Sequence, residues 1–117
     1  MNIESFRAYC LNKKGVTEEF PFGEEVLVFK VMGKLFALTD VESFASINLK
    51  VDPEKGAELR ETYPAVQPGY HMNKKHWNTV LMDGSLPDKL VRQWIDDSYA
   101  LVASKLTKSQ KSALESM

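Results

Sequence analysis

A two-layer α+β sandwich is the fold class that this sequence predicts, with the helices on one face of a mainly antiparallel five-stranded sheet. Strand-like segments follow one another at hairpin spacing, and amphipathic helical segments separate them in the order α-β3-α-β2-α. The 117 residues, 44% of them hydrophobic and 26% charged, suit one domain spanning residues 1–117 with its own core. No repeat, low-complexity tract or Pro/Ser-rich linker indicates a second domain.

The first helix follows Asn2, a residue suited to cap it, and its apolar side chains share one face: Ile3, Phe6, Cys10 and Leu11. Gly15 is well placed to end this helix. The next stretch, Thr17 to Glu25, contains Pro21, Gly23 and four glutamates. We expect this stretch to be a solvated connection.

Three strands are predicted next. The first, Val26 to Met32, is apolar and β-branched, and the chain returns as Leu35 to Thr39. Gly33-Lys34 stands between them and suits a two-residue type II′ turn, in which glycine takes the positive φ. Ala45 to Val51 alternates apolar and polar residues, as a half-buried strand with one wet face does.

The second half of the chain begins with a well-marked helix. Asp52 is a suitable N-cap, Pro53 suits the first helical position, and Pro64 predicts an end near Thr62. Two extended segments follow, at residues 66–70 and 77–82. If all helices cover one sheet face, the other face carries polar residues such as Lys30 and Lys50 and is left to solvent or a partner.

A longer helix is predicted after Gly84. Ser85 and Asp88 form a pair like a capping box, and a wide apolar stripe follows: Leu90, Val91, Trp94, Ile95, Val102 and Leu106. Thr107 and Gln110 repeat the capping pattern before a short last helix.

Composition excludes several classes of protein. The formal net charge is −1, whereas a dedicated nucleic-acid binder is usually basic, so such an activity needs local patterning. The single cysteine, Cys10, gives neither a disulfide framework nor a Cys/His zinc pattern. The sequence has no long apolar run and no secretory signal, so we expect a cytoplasmic protein without a membrane partner.

Residues Pro68 to Ser85 form the segment richest in functional side chains. They contain both histidines, a Lys-Lys pair and one of the two tryptophans, and no acid occurs between Thr62 and Met82. This clustering predicts a binding surface on a loop and the strand after it. An acidic stretch of opposite sign comprises Glu18, Glu19, Glu24 and Glu25. Should the two patches lie on different faces, the surface is polarised; equally, they could pair between subunits.

Several motifs match a known family. They include Phe20-Pro21-Phe22-Gly23, the run Val31 to Ala37, Asp52-Pro53, Ser98-Tyr99 and, most specifically, His71-Met72-Asn73-Lys74-Lys75-His76-Trp77. These motifs resemble those of the MmcQ/YjbR-like proteins, which are small bacterial cytoplasmic domains. The resemblance extends from about Ile3 to Leu106. The resemblance implies a fold like that of type III secretion chaperones, with similarity to the CyaY (frataxin-like) architecture. It also implies DNA binding by a double-wing arrangement of hairpins, and it implies no catalytic residue or cofactor.

For DNA, phosphate contacts are expected from the cationic side chains Lys74, Lys75, Lys50, Arg60, His71 and His76. Asn73 and Asn78 are expected at phosphates or base edges. Trp77 either stacks on an unpaired base or faces the core. The alternative is that Lys74 and Lys75 are solvated loop charges, while His76 and Trp77 pack at a sheet edge.

Metal binding and catalysis find less support in the sequence. The five-residue spacing of His71 and His76 matches no zinc signature, and no metal or cofactor is expected. Cys10 is expected to be a small buried hydrophobe, and Ser85 a helix cap instead of a nucleophile. Acid/base chemistry at either histidine stays open, although nothing supports it.

Three functional hypotheses follow. The preferred one is a non-enzymatic DNA-binding protein whose contacts, made by the 71–77 loop, are weak and salt-sensitive. The second is a protein- or peptide-binding module of the chaperone kind, which includes self-association. The third is binding of a small molecule near His71 and Trp77, which requires a concave pocket there.

Overall fold

The computed structural model describes residues 1–117 and contains a six-stranded antiparallel sheet in the order β1-β2-β3-β4-β6-β5. The strands are β1 (Val16–Glu19), β2 (Val26–Val31), β3 (Lys34–Asp40), β4 (Ser46–Lys50), β5 (Val66–Pro68) and β6 (Trp77–Leu81). The helices are α1 (Ile3–Leu11), α2 (Pro53–Thr62), α3 (Asp88–Ser104) and α4 (Lys108–Glu115). The predicted two-layer α+β class is confirmed. No helix combines the length and apolar character that a membrane span needs.

Three predicted helix starts are confirmed by their capping bonds. The Asn2 side chain accepts from the Ser5 N–H at 2.8 Å, and the Asp52 carboxylate accepts from two N–H groups in the first turn of α2. Thr107 and Gln110 form a reciprocal capping box at α4. In each case a short polar side chain satisfies N–H groups that the helix itself leaves unpaired, and this local chemistry is readable from sequence.

The solvated connection predicted for residues 17–25 is wrong at its start, because Val16–Glu19 forms edge strand β1. Its two glutamates point to opposite faces and both are paired. Glu18 accepts three hydrogen bonds from the Arg7 guanidinium of α1, and Glu19 forms an ion pair with Lys30 of β2. Glutamate is disfavoured in strands by propensity, but charged residues are common on edge strands, where they discourage further pairing.

The first hairpin turn lies one residue earlier than predicted. Val31 pairs with Lys34, so Met32 and Gly33 are the two turn residues, with φ of 49° and 83°. Positive φ at both positions is typical of a type I′ turn, not the predicted type II′. The Met32 side chain packs against the core, which offsets the strain of a left-handed non-glycine residue.

Helix α3 begins without the predicted Ser85–Asp88 capping pair. Its N-cap is Pro87, which offers no side-chain acceptor, and Asp88 is the first helical residue. Ser85 lies too far upstream to cap, and its N–H donates to Asp83 at 2.9 Å. The Asp88 carboxylate instead accepts from the N-terminal ammonium of Met1 at 2.9 Å.

Most buried apolar residues on the helix-facing side of the sheet join one core, whereas the opposite face is mixed. A row of directly opposed residues crosses all six strands on that face: Glu19, Val28, Leu38, Asn48, Thr79 and Gln67. Val28, Leu38 and Trp77 form a small second cluster there, against which Met72 of the 69–76 loop packs. This loop therefore folds over part of the outer sheet face.

Ser98 is the one polar residue in the buried stripe of α3, and it connects two central strands. The β3–β4 ladder runs only to the pair Ala37 and Leu49, beyond which the two strands are no longer paired. At that point the Ser98 hydroxyl donates to the Phe36 carbonyl at 2.6 Å and accepts from the Lys50 N–H at 2.9 Å. One side chain thus replaces the ladder bonds that the unpaired strand ends cannot make.

Ser98→Ala should reduce the free energy of unfolding by about 1–3 kcal/mol, because two backbone groups lose their buried partner. Chemical denaturation of both proteins measures this loss. The matched control is Ser104→Ala on the same helix, whose hydroxyl is exposed and bonds only within the helix. Equal effects of the two substitutions would contradict the bridging role.

Cys10 is fully buried on the apolar face of α1, as predicted, and burial raises the pKa of its thiol to about 12. The pKa of the thiol is higher in the folded protein than in the unfolded chain. The neutral thiol therefore contributes fully to stability below the unfolded pKa, and this contribution is lost as pH rises toward 12.

At pH 8 we expect a disulfide reagent to label Cys10 at least ~100-fold more slowly in the folded protein than in denaturant, since labelling requires the fold to open. The control is Ser116→Cys in a Cys10→Ala background. Because position 116 is exposed, its thiol should react with the reagent without delay in the folded protein.

Candidate functional site

The strand register places the connecting segments of the chain at two opposite ends of the sheet. One end, here called the lysine end, collects residues 12–15, 32–33, 51–52, 69–76 and 105–107. These segments contain five lysines and one acid, Asp52: the lysines are Lys13, Lys14, Lys74, Lys75 and Lys105. Lys34 and Lys50 stand at the same end, at the start of β3 and the end of β4.

The other end, here called the acidic end, collects residues 20–25, 41–45, 63–65 and 82–87. These segments contain four acids and no lysine or arginine: Glu24, Glu25, Glu42 and Asp83. Charge is therefore segregated along the strand direction, although the net charge is only −1. Of the predicted acidic stretch, Glu24 and Glu25 lie opposite to the 69–76 loop, while Glu18 and Glu19 belong to β1.

The 69–76 loop, which carries most of the predicted site residues, is held by its own polar groups. The Gly69 N–H donates to the Trp77 carbonyl at 2.9 Å and closes the loop. The Asn73 side-chain oxygen accepts from the N–H groups of Lys75 at 2.9 Å and His76 at 3.2 Å. This is an Asx-type turn, so the Asn73 oxygen is already used within the loop.

The two loop lysines differ in their freedom. The Lys74 ammonium donates to the Gly69 carbonyl at 3.1 Å, whereas the Lys75 side chain is exposed and bonds to nothing. Both remain accessible to an anion, because a lysine ammonium has three donors and the Lys74 contact uses one of them.

The histidines lie on either side of this turn. His71 is exposed, has φ of 58°, and its ring centroid lies 4.0 Å from that of Tyr70. His76 is half-buried, and its carbonyl accepts from the Val51 N–H at 2.8 Å, next to Lys50. The structure holds no group of three or more His, Cys, Asp or Glu side chains placed to bind a metal ion.

Trp77 and Asn78 are both buried, on opposite faces of β6. Trp77 is 6% exposed, packs beside Val28 and Leu38, and has the Lys50 ammonium 5.2 Å from its ring centroid. Of the two alternatives for Trp77, packing in the sheet is the one observed. The prediction that Asn78 reaches phosphates or base edges is wrong, since it is 1% exposed.

Arg60 belongs to the helical layer and contacts Asn78. Its guanidinium donates to the Asn78 side-chain oxygen at 2.7 Å, while the Asn78 amide donates to the Gly56 carbonyl at 3.3 Å. The pair ties α2 to β6 on the face away from the 69–76 loop. The structure therefore brings together Lys50, His76 and Trp77, places Lys74 and Lys75 on the adjoining 69–76 loop, and separates Arg60 from them.

Two cations that sequence reasoning missed lie beside Lys50. Lys34, interpreted from sequence only as a turn residue, and Lys105, at the end of α3, join Lys50 around a cavity of about 290 Å³. A second cavity of about 390 Å³, between α2 and α3, shares Lys50 and Leu101 with the first. No local signal could have found this grouping, because its members come from three separate parts of the chain.

Replacing Arg60 by methionine should cost about 1–3 kcal/mol of stability, because the buried Asn78 oxygen loses its charged donor. Thermal or chemical denaturation measures the loss. Lys89→Met, which removes an exposed cation of α3, should stay within about 0.5 kcal/mol. A stability loss at Arg60 no larger than at Lys89 would mean that the Arg60–Asn78 bond is not structural.

Comparison with known proteins identifies the family. The model of the YjbR family matches residues 11–101. The uncharacterized protein YjbR of Escherichia coli (strain K12) is 34% identical over 115 residues, covering 97% of this chain and 98% of that protein. The uncharacterized protein YbdF of Escherichia coli O157:H7 is 44% identical over 90 residues, covering 76% and 74%.

Solved structures agree with this assignment. The crystal structure of a Deinococcus radiodurans protein of domain family DUF419 gives a TM-score of 0.90 at 42% identity, covering 97% of this chain and 88% of that one. A Pseudomonas syringae crystal structure gives 0.74 at 33% identity, covering 87% and 99%. With its motifs, its fold and nearly its whole length matched in this way, the chain belongs to the YjbR family.

Proposed function

We propose that this protein binds nucleic acid through the sugar-phosphate backbone, without enzymatic action, at the lysine end of the sheet. The observation that carries the proposal is the segregation of charge: cations gather at one end and acids at the other. A polyanion is attracted to the first end and repelled by the second, so the molecule is oriented before contact. This local clustering of lysines supplies the positively charged surface that a chain with a net charge of −1 does not have as a whole.

Two hairpin tips provide the contact points, as a double-wing arrangement requires. The β2–β3 turn presents Lys34 and the β5–β6 loop presents Lys74 and Lys75, both at the lysine end. Strand β4, which ends at Lys50, lies between β3 and β6. Since neighbouring strands are about 4.8 Å apart, β3 of the first hairpin and β6 of the second are separated by roughly 10 Å. Their lysines can thus contact separate phosphates with Lys50 between them.

The same site offers little to read a base sequence. The Asn73 oxygen is occupied by loop N–H groups, and Trp77 and Asn78 are buried. What remains exposed is ammonium groups, which position a backbone but carry no sequence information, and the rings of Tyr70 and His71, whose stacking on bases is sequence-tolerant. Binding is therefore weak and independent of sequence, with about three phosphates neutralised by the exposed Lys34, Lys74 and Lys75.

A protein partner is the second candidate, favoured by a different observation at the acidic end. Phe20 and Phe22 of the β1–β2 connection are 48% and 71% exposed, next to Glu24 and Glu25. Exposed aromatic side chains beside carboxylates suit a peptide with apolar and basic residues. This surface would not bind a polyanion, so the nucleic-acid experiment distinguishes the two candidates.

Fluorescence anisotropy with labelled single- and double-stranded DNA of ~20 nucleotides tests the nucleic-acid proposal. With about three phosphates neutralised, the slope of log K against log salt is about −2.7 on duplex, so affinity falls about 40-fold between ~50 and ~200 mM salt. Lys74→Ala with Lys75→Ala should weaken binding and flatten this slope by about two units.

The matched control is Lys89→Ala with Arg92→Ala, which removes the same two charges from exposed positions in the first turns of α3. This control should change neither the affinity for DNA nor the slope of log K against log salt. Because Lys74 also bonds to the loop, Lys75→Ala alone is compared and should remove about one unit of slope. No binding at ~50 mM salt, or equal losses in both double variants, contradicts the proposal.

A further inference from the structure

The cavity beside Lys50 arises where two central strands separate. Beyond the pair Ala37 and Leu49, strands β3 and β4 are no longer hydrogen-bonded, and the last turn of α3 crosses the opening. The space measures about 290 Å³. Four apolar and three cationic side chains line it: Leu35, Trp77, Leu101, Val102, Lys34, Lys50 and Lys105.

The three lysines around this cavity have no counter-ion in the protein. The ion pairs of the molecule use the N-terminus, Arg7, Lys13, Lys30 and Lys55. The only lysine ammonium groups that donate hydrogen bonds are those of Lys13 and Lys74. Like charges gathered around one cavity repel one another, and this repulsion is relieved when an anion enters.

We infer that this cavity binds a small organic monoanion, a carboxylate carried on an apolar aliphatic or aromatic body. The three ammonium groups bind the carboxylate by charge-assisted hydrogen bonds. The body packs on Leu35, Trp77 and Leu101, because a mostly apolar wall with a few polar groups is what retains a small ligand. This inference goes beyond the nucleic-acid proposal and does not rest on it.

A single negative charge fits better than a phosphate dianion. Helix α3 ends at the cavity, with Lys105 as its C-cap, so the negative end of its dipole faces the site and disfavours additional negative charge. Two helices begin close in sequence to cavity residues, α2 after Lys50 and α4 after Lys105. The side chains of Asp52 and Thr107 already accept from N–H groups in their first turns. The cavity therefore has no helix N-terminus with which to hold a phosphate.

The neighbouring cavity sets the orientation of the ligand. It is reached past Leu101 and Lys50 and is lined by apolar groups of Leu59, Trp94 and Ala100. Asp52 and Asp97 line it together with Lys50 and Lys55, so its charges balance, whereas the first cavity has three lysines and no acid. The head group thus stays among Lys34, Lys50 and Lys105, while a longer apolar body extends past Leu101 between α2 and α3.

Proton–nitrogen correlation NMR of the ¹⁵N-labelled protein, titrated with hexanoate, tests the inference. The indole N–H of Trp77, assigned with a Trp94→Phe variant, should shift saturably, and amide signals of Leu35 and Leu101 should shift with it. The same concentrations of hexanol, which has the apolar body without the charge, should bind at least about tenfold more weakly. Inorganic phosphate at equal concentration should not displace hexanoate.

Lys34→Ala with Lys105→Ala should weaken hexanoate about tenfold or more, with the spectrum of a folded protein retained. Lys74→Ala with Lys75→Ala should leave hexanoate affinity unchanged while it weakens DNA, so the two proposals fail separately. The inference is overturned if no saturable shifts occur up to about 20 mM hexanoate. This concentration is near the weakest dissociation constant expected for a ligand of about eight non-hydrogen atoms. Equal binding of hexanol, or an unchanged affinity in the Lys34/Lys105 variant, also overturns it.

Discussion

The Ser98 hydroxyl, which bonds at once to the Phe36 carbonyl and the Lys50 N–H, is the contact on which the lysine end of this structure depends. A sheet whose central strands diverge would normally expose or bury unpaired backbone groups, at a cost comparable to several lost hydrogen bonds. With Ser98 in place, β3 and β4 can separate without that cost. The separation creates the cavity beside Lys50 and places Lys34 and Lys105 at its rim.

The 69–76 loop shows how a short motif divides its residues between structure and contact. Gly69 and Asn73 close and turn the loop, Met72 covers the small apolar cluster on the outer sheet face, and Trp77 is buried in it. The two lysines, Tyr70 and His71 are left exposed to solvent. A motif containing histidines, an amide and a tryptophan therefore functions mainly as a scaffold, and its binding capacity is chiefly electrostatic.

Both proposed ligands are anions because the topology collects cations at one end of the sheet. Antiparallel order sends alternate connections to opposite ends. The lysines of connections 12–15, 69–76 and 105–107 fall at one end, and the acids of connections 20–25, 41–45 and 82–87 fall at the other. Lys34 and Lys50 belong to both proposed sites, because each lies at the lysine end of its strand and also lines the cavity. An organic anion bound there would neutralise a charge that nucleic acid also uses, so the two ligands would weaken each other's binding.

Local chemistry in the sequence determined the α+β class, three of the helix caps, the half-buried β4 strand and the apolar stripe of α3, since each depends on side chains within a few residues. The sequence missed β1, because the pairing of Glu18 with Arg7 and of Glu19 with Lys30 offsets a poor strand propensity from outside the segment. It also placed the first turn one residue late, since the ladder from Val31 to Lys34 decides the register. Only the tertiary structure decided that Trp77 is buried and that Arg60 donates a hydrogen bond to Asn78. It also decided that Lys34, Lys50 and Lys105 line one cavity. These arrangements join residues that are far apart in the sequence.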